Sequence, residues 1–262
     1  MQGKNRKFIL LSFDVEEFDI PLNYNQQISL QEQLAIGHKG LLNLMELLGS
    51  EGQVTCTFFT TACFAENFPK TIQKLSISHE IASHTCSNSA FNKGDLSLSK
   101  NILESIIQKP VYGLRMPQMK EPDMDEVSQV PYVYDSSINP CWLPGRYNNW
   151  GRPRTAFREK KIIRIPASVT ANLRIPLFWL SFKNFPYLYF RFLAREILHK
   201  DGYLCLYFHP WEFTDIRPYQ IPWYVKRYSE NLLLFRLNRL IRDFKKEADF
   251  ISMYDYYDQI QL

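Results

Sequence analysis

The chain has 262 residues, 45% of them hydrophobic and 22% charged, and its formal net charge is +4 at pH 7. That length is sufficient for one α/β domain whose core needs no disulfide or metal support. The small charge excess argues against nucleic acid as a partner, because no basic run is interleaved with aromatic residues as in a strand-binding groove.

The first half of the chain alternates between predicted strands and helices. A continuous apolar run at 8–15 predicts a buried strand, and apolar residues at helical spacing predict a helix over 29–49. Further strands are predicted at 54–61, 79–84, 111–117 and 131–138. Further helices are predicted at 66–77, 95–109 and near 123–129.

The second half continues the pattern after a loop at 141–154 that is rich in Gly, Pro and Asn. Strands are predicted at 161–168, 201–209 and 250–257, and an amphipathic helix at 230–246. The stretch 174–200 is dense in aromatic and basic residues. Helices packed on a barrel, with long cationic side chains lying over apolar surface, are favoured there, and contact with a membrane surface or a lipid-linked substrate is the alternative.

The alternation of strands and helices predicts right-handed crossovers and a parallel sheet. Neither a repeat nor a linker interrupts it, so residues 1–262 are predicted to form a single domain. Five widely spaced cysteines without a CxxC pair predict free thiols. The apolar run before Asp14 is short for a signal peptide, and no stretch is long enough to span a membrane, so a cytoplasmic location is expected.

Four predicted strands end at residues capable of acid–base or metal chemistry, in LLSFDVEEFD (10–19), HEIASHTCSN (79–88), GLRMP (113–117) and YFHPWEF (207–213). The carboxyl ends of parallel strands meet at one edge of a sheet, where active sites form. Strand alternation puts Asp14 and Glu16 on the same side, so one could hold a cation while the other accepts a proton. A solvated acidic strand end is the alternative.

The other strand ends carry an imidazole or a guanidinium. His84 is a potential metal ligand, whereas Asn88, four residues later, offers only a neutral amide, which is a poor ligand for zinc. Arg115 follows a buried strand and needs an anionic partner, for which Asp14 is the candidate. His209 titrates in the range needed to donate a proton to a leaving amine.

Together these motifs resemble the polysaccharide deacetylase family, the NodB-homology domain of carbohydrate esterase family 4, over roughly residues 8–213. The resemblance implies a distorted (β/α) barrel of seven or eight mostly parallel strands. It also implies a hydrolase that removes acetyl groups from sugar polymers, with a divalent metal such as zinc held by an Asp and two His.

The resemblance assigns the metal site to three residues of this chain. Val15 stands where many members have the metal-binding Asp, and the D-x-D/E variant moves that role to Glu16. His84 matches the first metal His. Asn88 occupies the place of the second, so the implied metal site is weakened or lost.

The remaining roles concern acid–base chemistry and substrate contact. Asp14 resembles the catalytic base, Arg115 the arginine that orients it, and His209 the general acid. Asp135 is matched to the acidic residue beside that acid. Pro117 of the R-x-P motif and Trp211 are matched to the substrate pocket.

Three functions remain open from the sequence. The first is a carbohydrate deacetylase-like hydrolase of C–N amide bonds with an impaired metal site. The second is a catalytically inactive carbohydrate-binding protein, for which the substituted ligand position argues. The third is a metal-independent amidohydrolase of the same fold. A carbohydrate, which the resemblance allows to be lipid-linked, is the expected substrate.

Overall fold

The structure is a computed structural model that describes residues 6–92 and 94–260. Strands β1 to β11 are Phe8–Val15, Thr57–Thr60, Glu80–Ser83, Gly113–Leu114, Tyr134–Asp135, Trp142–Leu143, Tyr147–Asn148, Phe157–Glu159, Ile162–Arg164, Tyr203–Phe208 and Asp249–Phe250. Helices α1 to α10 are Leu30–Glu51, Ala62–Asn67, Pro69–Leu75, Asp95–Ile107, Met124–Gln129, Trp179–Asn184, Tyr187–Asp201, Trp223–Lys226, Asn231–Phe244 and Met253–Gln259. Short 3-10 helices span Ile20–Tyr24, Pro117–Met119 and Pro210–Phe213.

Nine strands form one curled, mostly parallel sheet in the order β10-β1-β2-β3-β4-β5-β9-β8, with β11 also paired to β1. Parallel pairing joins all of them except β8, which runs antiparallel to β9. Beyond β9, the backbone N–H of Ser168 donates to the Cys205 carbonyl of β10 at 3.0 Å, which brings the two ends of the curl together. The distorted barrel predicted from the resemblance is confirmed.

Alternation along the strands separates two cores. Ile9, Leu11 and Phe13 of β1 pack against the surrounding helices. Leu10 instead joins a smaller cluster inside the curl, which α10 closes at the amino-terminal end of the strands. Asp14 continues this interior row, so the two-residue period delivers a carboxylate to the carboxyl end of the barrel.

Two predicted elements are wrong. The single helix expected at 66–77 is two helices that meet at Phe68, because Pro69 begins α3 and cannot continue α2. The strand expected at 250–257 is limited to the end of β11, since the Ser252 side chain accepts a hydrogen bond from the Asp255 N–H and caps α10. The loop predicted at 141–154 also contains the β6–β7 hairpin.

All five cysteines are free thiols, as predicted. In the parts of the chain that the structure describes, the helices are too short or too polar to cross a bilayer.

Close packing at Gly40 brings α1 against the segment that carries His209. A Cβ atom at Gly40 would lie 1.9 Å from the Pro210 carbonyl oxygen. Gly40→Ala is therefore expected to lower the free energy of unfolding by about 1–3 kcal/mol, because backbone must shift to relieve the overlap. Gly49→Ala in the same helix meets nothing within 4 Å. Chemical denaturation should show that this control is stabilised by up to about 1 kcal/mol, and equal losses for both variants would contradict the packing argument.

Candidate active site at the carboxyl ends of the strands

The predicted strand ends converge inside the curl. Asp14 lies in β1, while His84, Arg115 and His209 directly follow β3, β4 and β10. Arg115 Nη1 lies 2.6 Å from Asp14 Oδ1, and His209 Nε2 lies 4.0 Å from Asp14 Oδ2. Segments that are far apart in the sequence thus bring these side chains together, as the sequence predicts.

Arg115 holds Asp14 in place. Its guanidinium is fully buried and also donates to the Ser12 hydroxyl and to Ser136, each at 3.0 Å. Burial by itself raises the pKa of Asp14, but the Arg115 charge, with those of His84 and His209, outweighs it, and the pKa lies below the ordinary 3.8. Asp14 is therefore an ionised carboxylate at neutral pH.

His209 is held by a carboxylate from its own segment. Its ring Nδ1 lies 3.0 Å from Glu212 Oε1, and its backbone N–H donates to the same oxygen at 2.8 Å. Because a carboxylate accepts, Nδ1 carries a proton and Nε2 faces Asp14 and Glu16. Burial lowers the pKa of His209, but Glu16, Glu212 and Asp14 outweigh it, and the pKa lies above the ordinary 6.5.

Glu212 is in turn paired with a buried lysine. Lys183 Nζ lies 3.1 Å from Glu212 Oε2, and both side chains are fully buried. Lys183 also donates to the Val225 carbonyl at 2.9 Å. Buried ions are stable only when paired, so Lys183 fixes the carboxylate that fixes His209.

Aromatic side chains complete this side of the site. The Trp211 indole stacks on the His209 ring with centroids 4.8 Å apart, and Trp179 meets the same ring edge-on at 5.2 Å. Trp211 Nε1 donates to Glu16 Oε1 at 3.3 Å. Pro117 is buried at the start of its 3-10 helix, two residues after Arg115. The substrate contacts expected of Trp211 and Pro117 stay predictions.

Glu16 and His84 lie side by side. His84 Nδ1 is 2.8 Å from the Arg115 carbonyl oxygen and must donate to it, since a carbonyl only accepts. His84 Nε2 is 3.1 Å from Glu16 Oε2, in a setting where both side chains are buried. These are two of the three groups that the resemblance assigns to a metal.

Asn88, the third, is tied to the acidic segment after β1. Its Nδ2 donates to Asp19 Oδ1 at 2.9 Å and its backbone N–H to Glu17 Oε2 at 3.0 Å, while its buried Oδ1 has no hydrogen-bond partner. Burial, together with the charges of Glu16 and Glu17, raises the pKa of Asp19 to about 7. The Asn88 amide thus donates to the Asp19 carboxyl group. A histidine at position 88 would have to displace or reorient that group.

The side chains do not form the metal centre that the resemblance implies. Within residues 6–92 and 94–260, no group of three His, Cys, Asp or Glu residues is arranged to hold a metal ion. Glu16 and His84 supply two donors, and Asn88 adds only a neutral amide oxygen.

The placement expected for Asp135 beside the general acid is wrong. Asp135 Oδ1 accepts from Arg164 Nε at 2.7 Å, and its other oxygen accepts from the Ser137 hydroxyl. Glu212 takes the position beside His209 instead. The sequence signal for Glu212 was its position three residues after His209 in YFHPWEF. No sequence pattern marked Lys183 for this role, because it lies within the aromatic stretch 174–200.

Asn88→His tests whether a histidine at position 88 completes the metal site that the resemblance implies. The substitution supplies the third imidazole or carboxylate ligand that the resemblance requires, so the affinity for Co²⁺ measured by calorimetry should rise at least about 10–100-fold, the range that loss or gain of indirect support already produces. Asn148→His, at an exposed position of β7, provides a matched control. Equal affinities in the two variants would show that Glu16 and His84 are not available to a metal.

Comparison with protein families matches residues 136–258 to the domain of unknown function DUF3473. This segment includes Lys183, His209 and Glu212, whereas Asp14 and Arg115 lie outside it. A comparison with curated protein sequences gives no match.

Solved structures give matches over nearly the whole chain. A protein from Mycobacterium smegmatis assigned to the polysaccharide deacetylases is 15% identical, with a TM-score of 0.66, covering 100% of this chain and 92% of that one. Puue allantoinase is 16% identical, with a TM-score of 0.64 and coverage of 98% and 91%. BA3943, a pseudoenzyme of carbohydrate esterase family 4 from Bacillus anthracis, is 10% identical, with a TM-score of 0.56 and coverage of 98% and 68%.

Identities this low are informative about the fold alone. The chain therefore has the fold of the polysaccharide deacetylases, and the resemblance predicted from its sequence is confirmed at that level.

Proposed function

We propose that the chain is a hydrolase of C–N amide bonds in N-acetylated carbohydrates. The observation that carries the proposal is the pairing of Asp14 and His209, 4.0 Å apart, with pKa values displaced in opposite directions. A reaction that needs a base and an acid at the same pH requires one group ionised and the other protonated.

The reaction follows from the positions of the two groups. Asp14 accepts a proton from water, whose oxygen attacks the acetamide carbonyl carbon. His209 Nε2, which lies 4.0 Å from Asp14 Oδ2, then donates its proton to the departing nitrogen as the C–N bond breaks, giving acetate and a free amine. Arg115 holds the base Asp14 in position, and Glu212 holds the acid His209. Positioning the reacting groups in this way lowers the activation barrier.

A catalytically inactive carbohydrate-binding protein is the second candidate. It is favoured by Asn88, whose amide donates to Asp19 in the place where the resemblance requires a metal ligand. One observation argues against it: the barrel buries the Asp14–Arg115 and Lys183–Glu212 ion pairs. Apolar side chains in these positions would often give equal or greater stability, so stability alone does not account for the ion pairs.

Acetate release from N-acetylglucosamine oligomers tests the proposal. The assay is run with chelator, without additions, and with Zn²⁺ or Co²⁺. Release that survives chelator supports a metal-independent hydrolase, and release only with metal supports a metal-dependent one. Oligomer binding without release under any condition would favour the carbohydrate-binding protein.

The dependence of kcat/KM on pH follows from the two displaced pKa values. Activity should fall on the acid side only below pH 3.8, where Asp14 becomes protonated, because its pKa lies below that value. The alkaline fall, as His209 loses its proton, should be centred above pH 6.5, because the pKa of His209 lies above that value. An activity that increases as the pH rises through 6.5 would mean that neutral His209 is the active form and would contradict its role as the acid.

A further inference from the structure

Helices α7 and α9 lie side by side on the outside of the barrel. The Tyr187 hydroxyl donates to Asp243 Oδ2 at 2.7 Å, and Arg191 pairs with the same carboxylate at 3.0 Å. One turn further along α7, Arg195 Nε donates to Glu247 at 2.8 Å. These contacts join α7 to α9 and to the segment that directly follows α9.

Large apolar side chains are exposed on α7, α9 and the short helix α8, and their outward sides are here called the α7–α9 face. Its apolar members are Leu188, Phe192, Trp223, Leu232 and Phe235. Phe235 is 72% exposed and Trp223 is 69% exposed. Single exposed apolar residues are ordinary, whereas a group of this size marks a surface that contacts something else.

Three arginines lie within the same face and share two tyrosine rings. The Arg236 guanidinium lies 5.5 Å from the Tyr187 ring centre and 5.3 Å from that of Tyr228. Arg239 lies over Tyr187 at 4.3 Å, and Arg227 over Tyr228 at 5.1 Å.

The Asp243 carboxylate, which interacts electrostatically with Arg239, is already paired with Arg191. Among the described residues, no ion pair joins Arg227, Arg236 or Arg239 to a carboxylate, and Arg236 Nε is buried without a hydrogen-bond partner. Burial lowers the pKa of Arg236, and the charges of Arg227 and Arg239 lower it further. The three cations therefore repel one another and would gain from a bound anion.

The charge of the surrounding chain limits what can cover the face. Residues 174–246 contain thirteen Lys and Arg but only six Asp and Glu, in a chain whose total charge is +4. A second copy of the chain would bring the same positive surface against itself. A partner that carries negative charge and also has an apolar interior would pair with the arginines and bury the exposed apolar side chains.

We propose that the α7–α9 face docks the chain on an anionic phospholipid bilayer. Phe192, Trp223 and Phe235 enter the boundary between headgroups and acyl chains, where aromatic rings are favoured. The arginines then pair with lipid phosphates, as basic residues do at anionic membrane surfaces. This docking is independent of the catalytic activity proposed above.

Sedimentation with lipid vesicles tests the proposal. The full chain is expected to pellet with vesicles of equal parts phosphatidylcholine and phosphatidylglycerol, and much less with phosphatidylcholine alone. Arg239→Gln should weaken the binding about fivefold, and the double variant Phe192→Ser, Phe235→Ser at least about tenfold. Ile77→Ser, at a side chain 76% exposed outside the face, and Lys70→Gln are the matched controls and should bind as the native chain does.

Several results would overturn the proposal. One is no binding to either vesicle, and another is equal binding to both. A third is binding that the Phe192 and Phe235 substitutions leave intact. A native chain that forms dimers in solution, loses them in the double phenylalanine variant and ignores vesicles would show that a second copy covers the face instead.

Discussion

Asp14→Asn is expected to slow acetate release by about a hundredfold to ten-thousandfold, the range for loss of a general base. Asparagine keeps the shape of the side chain and cannot accept the proton of water. The variant also leaves the buried Arg115 guanidinium without its anion, so the free energy of unfolding should fall by about 3–5 kcal/mol. Initial rates and chemical denaturation measure the two effects separately.

Asp135→Asn is the matched control, because it breaks another buried Asp–Arg pair of the same barrel. Asp135 and Arg164 are both fully buried and 2.7 Å apart. The stability loss should be smaller, since Arg164 keeps Glu121 at 3.1 Å. Activity should persist in the folded fraction. A comparable loss of kcat in both variants would mean that Asp14 acts through the integrity of the barrel and not as the base.

Glu212→Gln is expected to affect stability and pH dependence together. Removing the carboxylate leaves Lys183 charged and buried without a partner, which should cost about 3–5 kcal/mol of unfolding free energy. It also removes an anion that raises the pKa of His209. That pKa should fall, and the alkaline limb of kcat/KM should move to lower pH.

The double variant Glu212→Gln, Lys183→Met separates the two effects. With both ions removed, most of the lost stability should return, because no buried charge is left unpaired. The alkaline limb should stay displaced, since His209 still lacks its carboxylate. If the single and double variants have the same stability, Lys183 is not held by Glu212 in the native protein.

Sequence patterns predicted well where the chain is locally regular. The run before Asp14 is the strand Phe8–Val15 with the predicted bounds, and Asp14 and Glu16, which the two-residue period puts on the same side, both face His209 Nε2. The pairing of Arg115 with Asp14 followed from the cost of an unpaired buried charge.

The parts that failed depend on contacts between distant segments. Nothing local to Lys183 indicates that it lies opposite Glu212, because an ion pair across about thirty residues is set by packing. Asp135 was placed by motif similarity, yet Arg164 of the neighbouring strand binds it. In the strand predicted at 250–257, a serine cap outweighed the strand preference of the aromatic residues.

Strand β1 lies between β2 and β10, and Ser12 faces Tyr207 across the sheet. Base and acid thus come from neighbours in space that are separated by most of the polypeptide. A ribosome must therefore release nearly the whole chain before the two can meet, and until then β1 presents an open edge and unpaired charges. Such long-range closure predicts slow folding, with complete protection of the β1 amides from hydrogen exchange appearing only when β10 docks.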